Sequence, residues 1–345
     1  MEEISFKSQE EKIRSFERGY RATHVINIGL HFGIFKALNL ALEGMTAQEL
    51  AVKLMLHEPY LKVWFQTAYH FEILDCDNNG RFRLQPHLAE ILGIEPLFGQ
   101  DSIHIGFRAD STVQGDNESP LYNYIRAGIP INVHKSPESS LATAEATKGV
   151  YMVFLSMILP QYRDLEEMLQ QGIKFLDIGC GSGNLIIELA HAFGESTFVG
   201  VDPDIYGIER AQTTTSELGL DHQVSFEEMG AGDFPYNDEF NMVCLVATLH
   251  EILPEVRAQA MEKVYQALIK EGKLLVLDYP YPGRLEDFRN PRYNYGVIEQ
   301  YFEVVNGIVH LSALEQDELL SQAGFKNIHR TDIGEGMFDF IMATK

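Results

Sequence analysis

Hydrophobic and polar positions change period along the chain. Between Ile13 and Leu40 apolar residues fall at helical spacing, among them Val25, Ile28, Phe32 and Phe35. Thr46, with Glu49 three residues on, gives a capping-box pattern in front of Leu50 and Leu54. Pro59 suits the first turn of a further helix with Leu61, Trp64, Phe65 and Ala68 on its buried side. Two strand-like runs follow, Phe71 to Leu74 and Arg81 to Leu84, and Asn79-Gly80 is a strong turn signal between them. From about residue 99 to 171 the pattern is less regular. Residues 114–120 and 134–140 are polar and rich in turn formers. The run 149–162 is dense in aromatic residues and Met, which predicts buried core or domain contact, with a pocket wall as the alternative.

From Ile173 onward short apolar strands alternate with amphipathic helices. Strands are expected around 173–179, 196–202, 223–228, 240–247, 272–279, 325–330 and 338–345. Helices are expected after Gly183, over Ile205 to Leu218, from about Pro254 to Ile269, and over Asp317 to Ala323. This alternation predicts an α/β fold: a mostly parallel sheet with helices on both faces.

Composition narrows the partners. The chain has 345 residues, more than one ordinary core needs, and 45% of them are hydrophobic. No apolar run is long enough to cross a bilayer, and the charged start MEEISFKSQEEKIRSF does not read as a secretion signal. Cys76, Cys180 and Cys244 are widely separated, which implies a reduced, cytoplasmic compartment and neither a disulfide framework nor a zinc site. The formal net charge of -23 opposes binding to nucleic acid and to anionic membranes, and leaves a small molecule as the easier partner. That charge bears on the first 98 residues, where helices followed by a hairpin resemble a winged helix. The face that would read DNA, His57 to Lys62, is poor in basic residues, so a dimerising or substrate-covering module is the better reading.

The strongest chemical pattern is Asp177-Ile178-Gly179-Cys180-Gly181-Ser182-Gly183 between a strand and a helix. Glycines allow the tight turn and let a ligand approach the main chain, and the helix N-terminus favours an anion. The spacing is G-x-G-x-G rather than the dinucleotide pattern G-x-G-x-x-G. About 20 residues on, Asp202 ends the next strand, before Pro203. It can take both hydroxyls of a ribose or cap the following helix. Gly232-Asp233-Phe234 follows the third strand, where Asp233 can accept from an exocyclic amine and Phe234 can pack on a base.

In combination these segments resemble the class I S-adenosylmethionine-dependent methyltransferases. FLDIGCGSG is similar to their first motif, FVGVD to their second and GDF to their third; GKLLVLDY and ELLSQAGFKNI are also similar to family segments. LHFGIFKALNLALEGMTAQELA is similar to the dimerising domain of small-molecule O-methyltransferases. The resemblance implies a Rossmann-like seven-stranded sheet whose last strand, about Phe338 to Thr344, runs antiparallel. It implies three regions: a winged-helix-like dimerisation domain over 1–98, a helical linker or substrate cap over 99–171, and a cofactor-binding domain over 172–345. It also implies a homodimer that binds S-adenosylmethionine, releases S-adenosylhomocysteine and methylates a small molecule. The expected cofactor residues are Asp177, Gly179, Cys180, Gly181, Asp202, Pro203, Gly232, Asp233, Phe234 and Ala247.

His250, after the fourth strand of the sheet, matches the histidine that removes the acceptor proton in plant-type O-methyltransferases; a structural hydrogen bond is the competing role. Glu251 and Ile252 depart from the aspartate and tryptophan of that motif. Asp278 offers one ligand for a hard cation, but no second carboxylate stands at the matching strand end, so no metal is expected. His104, His134 and His310 lack ligand spacing. The long connection holding Tyr293, Tyr295, Tyr301 and Phe302 is the expected acceptor segment, with packing as the alternative for each aromatic. N-, S- or C-methylation, a non-catalytic S-adenosylmethionine sensor and a dehydrogenase stay open as alternatives.

Overall fold

A computed structural model describes residues 5–92, 94, 120–130, 136–147 and 149–345. The chain forms two compact units that interleave along the sequence. The first comprises Met1–Ile131, Arg284–Asn290 and Val297–Gly307; the second comprises Asn132–Gly283, Pro291–Gly296 and Ile308–Lys345. His104 and His134 lie outside the described residues, as do residues 114–119 and 134–135 of the two polar runs. Among the described residues no helix is long and apolar enough to cross a membrane.

In the first unit, the periodic run 13–40 is two helices, Phe6–His31 and Ile34–Asn39. The break is at Gly33, whose φ of 68° stops the first helix without a Cβ penalty. The helix Ala47–Leu54 opens on a full capping box: Thr46 Oγ1 accepts from the Glu49 amide at 3.2 Å, and the Glu49 carboxylate accepts from the Thr46 amide at 2.9 Å. The helix Glu58–His70 carries Pro59 in its first turn and buries Leu61, Trp64, Phe65 and Ala68. The hairpin pairs β1 (Leu74–Cys76) with β2 (Phe82–Leu84), and Gly80 turns it with a φ of 72°. β1 starts later than the expected Phe71. The preceding helix runs on to His70, Phe71 caps it, and Glu72 makes the turn out of it at a φ of 59°.

In the second unit, the less regular stretch turns out to be largely helical, with Pro137–Thr147, a short helical run over 150–161 that includes a π-turn at Phe154–Ile158, and Arg163–Gln171. The sheet has seven strands: β3 (Lys174–Ile178), β4 (Thr197–Asp202), β5 (Val224–Glu228), β6 (Phe240–Val246), β7 (Leu268–Asp278), β8 (Lys326–Ile333) and β9 (Phe338–Thr344). Their order is β5-β4-β3-β6-β7-β9-β8, and only β9 runs against its neighbours. Successive residues of β3 pack into different cores: Phe175 joins Phe198 and Met242, whereas Leu176 and Ile178 join Val201 and Val243. Burial on both faces explains why these strands read as unbroken apolar runs. After β3 the chain builds outward to β4 and β5, then returns to place β6 on the other side of β3. The ends of β3 and β6 therefore form the switch point where open α/β sheets bind ligands.

Candidate functional site at the strand ends

The glycine loop leaves β3 at its carboxyl end. Gly179, Gly181 and Gly183 all have positive φ, at 75°, 52° and 72°. Each does different work. A Cβ on Gly179 would lie 2.4 Å from the Thr248 side chain, and one on Gly183 would lie 2.4 Å from the Phe226 ring, so both positions need the bare backbone. A Cβ on Gly181 would meet nothing within 4 Å, which leaves open space over the main chain there. The helix Asn184–Ala192 starts behind Gly183 with no side-chain cap, so its first amides remain suited to an anion.

Asp202 ties this loop to β4. One carboxylate oxygen accepts from the Gly181 amide at 2.8 Å and the other from the Asp204 amide at 2.7 Å. Capping of the helix Ile205–Glu217 falls to Asp204, which accepts from the Tyr206 amide at 3.1 Å. Asp202 is thereby relieved of the capping role. Asp177 is buried on β3 beside Cys244 of β6, whose thiol donates to Asp177 Oδ1 at 3.1 Å. Burial pushes the Asp177 carboxyl up to about 7, with Asp202 adding to the rise and the Cys244 bond opposing it. Burial raises the Cys180 thiol as well, beside the same two carboxylates, so Cys180 is a neutral wall of the loop.

Other expected residues are arranged unevenly. Pro203 is exposed, and Asp233 is exposed in the loop after β5. Gly232 accepts through its carbonyl from Gln259 at 3.1 Å. Phe234 has 0% exposure and belongs to the core that holds Ile178 and Val201; its ring stacks on Tyr236 at 5.7 Å. It presents no ring face to a base, because the apolar side chain is worth more buried there. Ala247 takes the left-handed conformation at a φ of 52° where β6 ends, a costly geometry for a residue with a Cβ. Thr248 follows, against Gly179.

The loop after β6 carries His250, which is 3% exposed. Its Nδ1 lies 2.5 Å from Asp278 Oδ1, and its amide donates to Asp278 Oδ2 at 3.0 Å. Asp278 ends β7 and is fully buried. Burial alone would raise its carboxyl; His250, His310 and the Tyr279 amide outweigh that and hold it below the usual carboxylate range. An ionised carboxylate fixes the proton on Nδ1, so Nε2 is the ring atom that takes a proton. Arg257 holds the loop from behind, donating to the carbonyls of Ile252, His250 and Val309 at 3.0, 3.0 and 2.8 Å. The buried His310 ring lies 4.5 Å from that of His250, and Tyr279 stacks nearly parallel to His310 at 11°. This orienting carboxylate, the role Asp278 has here, was not legible beforehand.

Nor does the sequence announce the contacts of Arg210. Arg210 donates to Ser140 Oγ at 2.5 Å and to Ser182 Oγ at 3.2 Å, and Ser140 donates to Asp204. The helix Pro137–Thr147 is thus fastened to the glycine loop. Of the expected acceptor aromatics, Tyr301 packs in the core of the first unit, hydrogen-bonded to Tyr60 at 3.3 Å and to His24 at 3.1 Å. Sequence periodicity offered no signal for either long-range contact.

Comparison with known proteins agrees with this geometry. Residues 175–272 match the family described as a methyltransferase domain. A carboxy-S-adenosyl-L-methionine synthase of Wolinella succinogenes is 25% identical over 208 residues, covering 53% of this chain and 85% of that protein. The 27-O-demethylrifamycin SV methyltransferase of Amycolatopsis mediterranei is 28% identical over 172 residues, covering 48% of this chain and 59% of its own. Among solved structures, an O-methyltransferase family 2 protein of Planctomyces limnophilus, in complex with apigenin, superposes with a TM-score of 0.71 at 17% identity, covering 97% of this chain and 95% of that one. Human N-acetylserotonin methyltransferase, in complex with S-adenosylmethionine, gives 0.51 at 18% identity over 100% and 99% of the two chains. Residues 175–272 therefore carry a methyltransferase domain, and the chain has the fold of the O-methyltransferase structures.

Proposed function

We propose that this enzyme methylates a hydroxyl oxygen of a small molecule, with His250 as general base. The observation that carries the reading is the buried His250–Asp278 pair at 2.5 Å. An ionised carboxylate that sets the tautomer and can stabilise an imidazolium is what a histidine base needs. The name of the rifamycin relative, an O-methylating enzyme, supports the same acceptor class. Bound S-adenosylmethionine supplies an electrophilic methyl on a sulfonium that is already a good leaving group. The protein's part is to align, to exclude water and to take one proton. His250 Nε2 would take the proton of the acceptor hydroxyl, leaving that oxygen free to accept the methyl that the sulfonium would give up. Asp278 holds the ring and stabilises the imidazolium that results.

The residues fit the cofactor. The open backbone at Gly181 and the uncapped helix start suit its amino-acid carboxylate, with Gly179 and Cys180 forming the turn. Asp177, buried and weakly bonded, suits its ammonium. Asp202 suits the ribose hydroxyls, next to Pro203, and Asp233 with Gly232 suits the adenine amine. The left-handed Ala247 shapes the floor at the end of β6.

The protein is further read as a homodimer through its first unit. The helix Phe6–His31 exposes Phe6, Ile13, Phe16 and Tyr20, which fall within about 80° of arc on one side of a 3.6-residue helix. A second copy of this chain is the partner that covers them. The acceptor reading is tested by a screen of hydroxyl, amine and thiol compounds that follows S-adenosylhomocysteine release, with the product methyl located by NMR. A methyl ether is the expected product. Methyl on nitrogen, sulfur or carbon alone overturns the reading.

A further inference from the structure

Two facts about Asp177 stand together. It is a buried carboxylate on β3, and among the described residues its one hydrogen-bond donor is the Cys244 thiol, at 3.1 Å to Oδ1. A thiol is a weak donor, and a buried carboxylate served by one weak donor is poorly compensated. The titratable groups that face it are Cys244 from β6, Cys180 from the glycine loop and Asp202 from the end of β4. None of them is a cation. Burial, the Asp177 carboxylate and, last, Cys180 raise the Cys244 thiol, so it stays protonated and donating.

We propose that Cys244 is a positioning residue of the cofactor subsite: its thiol secures Oδ1 of Asp177 and leaves Oδ2 to take the cofactor's ammonium, so that cofactor binding expels a proton from Asp177. This rests on the cofactor reading of the loop given above. The carboxyl, lifted to about 7 in the unliganded protein, holds its proton over much of the range below neutrality. An arriving ammonium favours the ionised form, and the proton leaves to solvent. The energetic logic is that of a weakly served carboxylate kept ready for a cation. A strong donor such as Arg at position 244 would satisfy Asp177 beforehand and compete with the ligand.

The test is calorimetric titration with S-adenosylhomocysteine in buffers of different ionisation enthalpy. At pH 6.5 the ligand's own α-amino group is protonated, and release of about three quarters of a proton is expected. Affinity is expected to be about tenfold or more weaker at pH 5.5 than at pH 7.5. Asp177→Asn should abolish both the release and this pH dependence. Cys244→Ala should weaken binding several-fold more at pH 6.5 than at pH 7.5, and Cys244→Ser, which restores a donor, should return the profile toward that of the parent. A purely structural role for Cys244 would weaken binding equally at both pH values, and that result overturns the proposal. So does binding by the parent protein without proton release. Failure of the parent to bind either S-adenosylhomocysteine or S-adenosylmethionine overturns the cofactor reading itself.

Discussion

Asp202 holds the glycine loop through one carboxylate oxygen and the turn after β4 through the other. Asp202→Ala should therefore lower cofactor affinity by about tenfold or more and also cost roughly 1–3 kcal/mol of stability, because two amides lose their acceptor. Titration calorimetry and thermal melts check the two effects separately; unchanged affinity contradicts the ribose role. Asp177 behaves in the opposite sense. Its carboxyl is raised in the folded protein from 3.8 to about 7, so between those values the native state binds more protons than the unfolded one. Stability from this group is present at acid pH and is lost as pH rises through about 7. Asp177→Asn should stabilise the unliganded protein at pH 8, by up to a few kcal/mol, and leave it little changed at pH 4. Denaturant melts at both values check this, and equal effects would contradict it. Residues within one loop were legible in the sequence, since Asp177 and the three glycines stand at short, regular spacings. Pairs formed across the sheet were not. His250 and Asp278 are 28 positions apart, and Asp177 and Cys244 are 67 apart. Phe234 was legible as aromatic, but only its burial in the core, stacked on Tyr236, shows that its ring is packed there.

Helix ends were legible where the signal is local. Thr46 with Glu49 and Pro59 act as their sequence suggests. The same logic locates the true start of the helix Ala313–Ala323, where Ser312 and Glu315 form a second capping box ahead of the expected Asp317. Segments joined by distant side chains gave no such signal. His70, at the end of its helix, accepts from Arg18 through Nε2 at 2.9 Å and donates through Nδ1 to the Phe288 carbonyl. That arrangement requires a neutral ring. Burial is the largest cause lowering His70 to about 4, with Arg18 adding to it against the Phe288 bond. Here the unfolded state binds more protons between about 4 and 6.5, so stability rises with pH across that window and is lost on acidification. His70→Gln should flatten the acid limb of the stability profile between pH 4 and 6.5, by about 2–3 kcal/mol, at some cost at pH 8. Urea melts across that range check it, and an acid limb as steep as the parent's contradicts it.

At the scale of the whole molecule, alternating strands and helices announced the mostly parallel sheet, because central strands such as β3 and β6 are buried on both faces; the antiparallel last strand was implied only by the family resemblance. The interleaving of the two units was not announced, since residues 284–290 and 297–307 belong to the first unit only through tertiary packing of groups such as Phe288 and Tyr301. The apolar stripe on the helix Phe6–His31 gives an assembly prediction. Replacing Ile13 and Phe16 together by Glu should shift the protein from dimer to monomer in sedimentation equilibrium, and a monomeric parent would contradict the dimer. The chemistry itself is tested most directly by turnover against pH, with a hydroxyl acceptor, for the parent and His250→Ala. The account predicts a loss of about 100-fold or more near neutrality that shrinks as pH rises and the acceptor ionises unaided, with cofactor affinity nearly unchanged. Full activity of His250→Ala across the pH range would contradict it.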